Sequence, residues 1–229
     1  MGSYLNPGST LFRGSLRSKI YVDKSGLIEK TNDLIGTEQK YVCVSRPRRF
    51  GKSMAANMLA AYYKRDEDTR ALFDKLMISQ AQSYKEHLNQ YDVIRINMQQ
   101  FLSETHSMEE MLSKICNYLI QDLQEAYEQI RFREKTSLVQ TMKDVFANTG
   151  HPFVILIDEW DCLFREYQQD KDAQKKYLDF LRVWLKDQDY VGLAYMTGIL
   201  PIKKYGSHSA LNMFIEYSMT DPGDMAQYF

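Results

Sequence analysis

Arg46-Pro-Arg-Arg-Phe-Gly-Lys-Ser53 is the stretch on which the reading of this chain turns. Set against Gly-x-x-x-x-Gly-Lys-[Ser/Thr], the pattern of a loop that cradles phosphates, it matches at Gly51, Lys52 and Ser53 and departs at its first position, where Arg46 replaces glycine. Its surroundings restore the match. Lys40-Tyr-Val-Cys-Val-Ser45 before it is a β-branched and aromatic run, which predicts a strand. Met54-Ala-Ala-Asn-Met-Leu-Ala-Ala-Tyr-Tyr63 after it is rich in helix formers. Strand, turn and helix in that order place free N–H groups and the positive end of a helix dipole where an anion can settle. Pro47, Arg48, Arg49, Phe50, Gly51, Lys52, Ser53 and Met54 are therefore the candidate nucleotide-binding segment. Gly51 allows close backbone approach, Lys52 reaches the terminal phosphates and Ser53 offers a hydroxyl to magnesium. For the loop alone, a basic turn carrying Gly-Lys-Ser by chance is the competing reading.

A second stretch separates the two readings. Phe153-Val-Ile-Leu-Ile-Asp-Glu159 is five apolar residues followed by two carboxylates, the form of a Walker B strand. An unbroken apolar run predicts a strand covered on both faces, and its acidic end then lies at the carboxyl edge, where open α/β sheets bind ligands. Asp158 is the candidate magnesium ligand, and Glu159 the candidate carboxylate that polarises an attacking water. The alternative is a buried strand ending in an ordinary helix-capping pair. Both stretches in one chain, in this order, select the nucleoside triphosphate reading.

The chain has 229 residues, 44% hydrophobic and 26% charged, enough for one α/β domain with a proper core. A formal net charge of −1 advertises neither nucleic acid nor an anionic membrane. The apolar runs fall far below the roughly 18 residues of a spanning helix, and the first residues lack a signal-peptide core. A soluble cytoplasmic protein is expected. Cys43, Cys116 and Cys162 form no Cys-x-x-Cys pair and read as reduced structural thiols, and the four histidines lack metal-ligand spacing.

Residues 1–39 read as a lead-in packed on an ATPase core of residues 40–229. Within it Ile20–Ser25 is a short extended piece and Gly26–Ile35 a helix stopped by Gly36; the segment lies either near the nucleotide base or as a cap over the sheet edge. Further strands are predicted at Asp92–Asn97, Val191–Thr197 and Met213–Ser218, and helices over 107–130, Ser137–Asn148 and Ala173–Lys186, with apolar stripes that read as core packing. Strands alternating with helices predict an α/β fold with a doubly wound, mainly parallel sheet.

Tyr21-Val-Asp-Lys24, Ser45–Ser53, Ile157-Asp-Glu-Trp-Asp161 and Thr197-Gly-Ile-Leu-Pro-Ile-Lys-Lys-Tyr205 together resemble the bacterial AAA-ATPase-like family. Its members typically join an ATPase domain to a C-terminal domain similar to PD-(D/E)XK nucleases. The resemblance covers nearly the whole chain, and the Arg-Pro-Arg-Arg-Phe-Gly-Lys-Ser form is specific to that family. It implies a P-loop NTPase three-layer sandwich of the additional-strand, AAA-like type, with ATP and Mg2+ as cofactors. Lys52, Ser53, Asp158 and Glu159 take the roles given above, and Thr197 is a catalytic sensor residue ending its strand. Arg48 and Arg49 read as contacts to phosphate or to another subunit of a homo-oligomer, or else as structural partners of Asp23 or Asp161. Lys203 and Lys204 are either sensor-like cations or a solvated turn.

The leading expectation is a magnesium-dependent ATPase. Its rival is a non-hydrolysing switch, or a regulatory module for a linked nuclease-like domain; nucleic-acid binding draws only on that appendage. The resemblance further implies that chain follows Phe229, so that Met225, Tyr228 and Phe229 begin a helix of an absent part. A fragment ending there is expected to expose an apolar patch and to self-associate.

Overall fold

The computed structural model describes residues 2–202 and 210–229. Five strands, β1 (Tyr41–Ser45), β2 (Asp92–Asn97), β3 (Phe153–Asp158), β4 (Val191–Gly198) and β5 (Ile215–Tyr217), form one sheet in the order β2-β3-β4-β1-β5, and every neighbouring pair is parallel. The strand inserted between the loop-bearing β1 and the acidic β3 is β4. Before β1 come α1 (Thr10–Leu16) and α2 (Gly26–Asn32). Between β1 and β2 lie α3 (Lys52–Tyr63), α4 (Arg70–Phe73) and α5 (Tyr84–His87). Then α6 (Met98–Ser103), α7 (Met108–Ala126) and α8 (Leu138–Thr149) precede β3, and α9 (Cys162–Glu166) and α10 (Lys171–Leu185) lead to β4.

Alternation along the strands explains the layers. Phe153, Ile155 and Ile157 of β3 join a core with Ile94, Ile96 and Met196, packed under α7, α8 and α10. Val154 and Leu156 join an opposite core with Val42, Val44 and Tyr195, packed under α2 and α3. Successive side chains leave opposite faces of a strand, so a sheet covered twice needs an apolar residue at every position. All of β1, β3 and β4 is accordingly buried.

Local chemistry sets the helix ends. The Ser107 hydroxyl accepts from Glu110 N at 3.1 Å, while the Glu110 carboxylate reaches back to His106 N at 2.8 Å, a near relative of the reciprocal capping box. Ser137 and Asp170 cap α8 and α10 in the same way, through Gln140 N and Ala173 N. By contrast, α3 begins after Gly51 with no side-chain cap.

Both chain ends depart from expectation. At the start, Asn6 N donates to Val93 O at 2.7 Å and Arg95 N to Tyr4 O at 2.9 Å, so the first residues run antiparallel along β2 and cover an otherwise open edge. Ile20–Ser25 joins no strand; it crosses the carboxyl end of the sheet beside the loop after β1. At the other end, two of the three residues expected in an exposed apolar patch are covered. Met225 and Tyr228 are buried, and Tyr228 lies against Gly26 of α2. A short 3-10 turn, Gly223–Tyr228, folds these side chains back into the core beneath α2 and α3, because the turn at Pro222 and Gly223 reverses the chain.

Candidate functional site

The loop after β1 curls around the ammonium of Lys52. Arg49 has φ 72° and Gly51 φ 82°, and two left-handed residues this close bend the backbone into a tight curl. Lys52 starts α3 on its buried side, and its Nζ donates to Arg46 O at 2.9 Å and Pro47 O at 3.0 Å. Two of the three ammonium N–H groups are thereby used by the loop itself, leaving one over. Burial lowers the pKa of Lys52, and the charges of Glu159, Asp158 and Asp161 pull it part of the way back up, against that of Arg165.

Arg46 explains how the loop dispenses with its first glycine. The side chain is 1% exposed and turns away from the loop, its Nη1 donating to Ser45 O at 3.0 Å and to Tyr217 O at 2.8 Å. Arg46 N donates to Gly198 O at 3.0 Å. The buried guanidinium thus ties β1 to β5, and the Arg46 backbone ties β1 to β4, at the carboxyl edge. Restoring the general pattern with Arg46→Gly removes a charge-assisted bond and leaves the Tyr217 carbonyl bare. We expect a loss of about 3 kcal/mol in unfolding free energy, measured by urea denaturation; an unchanged midpoint would contradict this role.

The acidic pair at the end of β3 sits one strand away. Asp158 is 1% exposed; its Oδ1 accepts from Thr197 Oγ1 at 2.5 Å and from Glu159 N at 3.1 Å. Its Oδ2 is buried without a hydrogen-bond partner. A bare carboxylate oxygen in a buried site is costly unless something binds it. Glu159 adopts φ 55°, in the left-handed region that non-glycine residues avoid, and its Oε2 accepts from Arg165 Nη2 at 2.5 Å. Arg165 also forms an ion pair with Asp161 at 3.3 Å, and Asp161 Oδ2 accepts from Ile199 N at 3.2 Å and Leu200 N at 2.9 Å. The turns after β3 and β4 press together at Gly198, where an added Cβ would lie 2.6 Å from the Trp160 ring.

The structure therefore gathers Lys52, Asp158, Glu159 and Thr197 at one edge. Ser53 is exposed at the first turn of α3, and Pro47, Arg48, Arg49 and Phe50 are exposed along the loop. Arg48 and Arg49 make no ion pair among the described residues. Asp23 accepts instead from Ser25 N and Met77 N, and Asp161 is taken by Arg165, which overturns the structural pairing expected for the two arginines. Lys203 and Lys204 lie outside the described residues. Two participants were not singled out from the sequence, Arg165 and Lys24. The spacing of Asp161 and Arg165 carries an i,i+4 signal for their ion pair, but nothing in it announces the contact to Glu159. Lys24 Nζ donates to Phe50 O at 3.2 Å and lies over the Phe229 ring.

Beside Gly51 opens a cavity of about 450 Å3, lined by Ile20, Tyr21, Val22, Lys24, Phe50 and Met54 among others. Ile20 and Val22 are 83% and 62% exposed, an apolar surface next to the polar curl of the loop. A family model described as predicted AAA-ATPase matches residues 14–207. No match was found among curated proteins.

Proposed function

The chain belongs to the AAA-ATPase-like family, and from that premise we propose that it is a magnesium-dependent ATPase whose site is the loop of residues 46–54 facing Asp158, Glu159 and Thr197. One observation carries the reading. Lys52 is held by the carbonyls of its own loop at the edge where β3 ends, and there Asp158 keeps a buried oxygen bare while its other oxygen is fixed by Thr197.

In this reading the uncapped N–H groups at the start of α3 and the ammonium of Lys52 take the charge of the β- and γ-phosphates. Asp158 and Ser53 are the residues that would hold magnesium, whose preference for one or two carboxylates together with phosphate and water oxygens suits this donor set. When bound, the ion neutralises charge that develops on the phosphate oxygens. Glu159 orients the attacking water and takes its proton. The base and ribose lie in the cavity beside Gly51, against Val22 and Phe50. That assignment makes the segment before α2 part of the site, one of the two readings the sequence left open for it.

The rival reading, a non-hydrolysing switch, has one observation on its side. The Glu159 carboxylate is engaged by Arg165 rather than standing free. Turnover separates the two readings, and magnesium tests the site. Titrating the wild-type protein with ATP and with GTP, with and without magnesium, should show triphosphate binding that the metal strengthens. Asp158→Asn keeps an acceptor for Thr197 and removes the charge, so the gain from magnesium should fall by roughly tenfold. An equal gain in both proteins would remove Asp158 from the metal site.

A further inference from the structure

We propose that Arg165 is a positioning residue for hydrolysis: it fixes the Glu159 carboxylate by one oxygen and links that carboxylate, through Asp161, to the chain that follows β4. The inference rests on the hydrolase reading above. Three facts carry it. Glu159 occupies a strained backbone conformation, φ 55°, at the first residue beyond β3, and such strain persists only where the surroundings over-determine it. The side chain has one polar partner among the described residues, Arg165 Nη2 at 2.5 Å on Oε2, and Oε1 is left without one. The guanidinium is itself held, by the ion pair to Asp161 and by Gln99 Oε1 at 3.4 Å.

An ordinary surface ion pair has none of this. Arg165 and Glu159 are about one-fifth exposed, and Asp161, the other partner, is fully buried and fixed by the backbone N–H groups of Ile199 and Leu200. A carboxylate held by one oxygen on a fixed arm presents the other in a constant direction. For a group that must receive a proton from a water poised over a phosphoryl group, direction is the requirement. Because the arm is anchored to residues 199 and 200, immediately after the strand that carries Thr197, a displacement of that segment would swing Arg165 and with it Glu159. The candidate sensor strand and the candidate water-orienting carboxylate thus share one mechanical link.

Arg165→Gln retains some polar reach and loses the charged fork. It should lower kcat for ATP roughly tenfold or more, with ATP affinity within about twofold of wild type, both measured well below a thermal midpoint that falls because buried Asp161 loses its ion-pair partner. Arg165→Lys should recover part of the loss. In the Glu159→Gln background, Arg165→Gln should cost nothing further, because a residue acting through another has no effect once that other is gone. Two results would overturn the proposal: Arg165→Gln turning over at the wild-type rate while Glu159→Gln does not, or equal losses from Arg165→Gln in both backgrounds. A wild-type protein that binds ATP and never releases phosphate would bring down the hydrolase reading itself, and the positioning role with it.

Discussion

Lys52→Ala should weaken ATP binding by about 10- to 150-fold in isothermal titration. The ammonium is buried within reach of the charges of Glu159, Asp158 and Asp161, so removing it leaves Arg165, already paired with Glu159 and Asp161, as the neighbouring cation for the phosphate oxygens. The loop leaves one ammonium N–H for phosphate, and a charge-assisted hydrogen bond contributes about 1.5–3 kcal/mol, the equivalent of an about 10- to 150-fold change. The truncation acts on the unliganded protein too. It strips Arg46 O and Pro47 O of their donor, so the thermal midpoint should fall, and the titration has to be run well below it. An ATP affinity equal to wild type would mean that the triphosphate site lies elsewhere.

Glu159→Gln should leave binding within about twofold while phosphate release falls by roughly 100-fold. Glutamine has the same shape and can still accept from Arg165, but it takes no proton from water. Binding and turnover separate cleanly for that reason. Equal phosphate release from the two proteins would move the water-activating role to another carboxylate; after Asp158, Asp161 is the nearest in sequence, yet its Oδ2 is already committed to two backbone N–H groups.

Continuous apolar runs and glycine punctuation made the layers of the fold legible from the sequence. Phe153–Ile157 had to be a strand covered on both faces, and Gly150, at φ 69°, had to end a helix. The β2 edge was not legible, because the residues that cover it, Tyr4 to Asn6, pair through backbone atoms and carry no side-chain periodicity. In the candidate site, Lys52 and the acidic pair stood out in the sequence because phosphate chemistry asks for those side chains at those spacings. Arg46 seemed a defect in the pattern, and its purpose is visible only once β5 lies beside β1, since Tyr217 is far from it in sequence. Arg165 was hidden for a similar reason: the left-handed turn at Glu159 brings together two residues that a regular helix or strand would keep apart.

The order of the sheet also governs how the protein is made. Tyr41 of β1 pairs with Ala194 of β4, so roughly 150 residues are translated between the first central strand and its neighbour. At about 5–20 residues per second, Val42, Cys43 and Val44 wait about 10–30 seconds before any strand lies beside them, an apolar ribbon open to chaperones and to its copies on neighbouring ribosomes. During that interval β2 and β3 can already pair with each other. The loop after β1 emerges early in synthesis, but the bonds from Arg46 to Gly198 and Tyr217 close only when the last strands arrive.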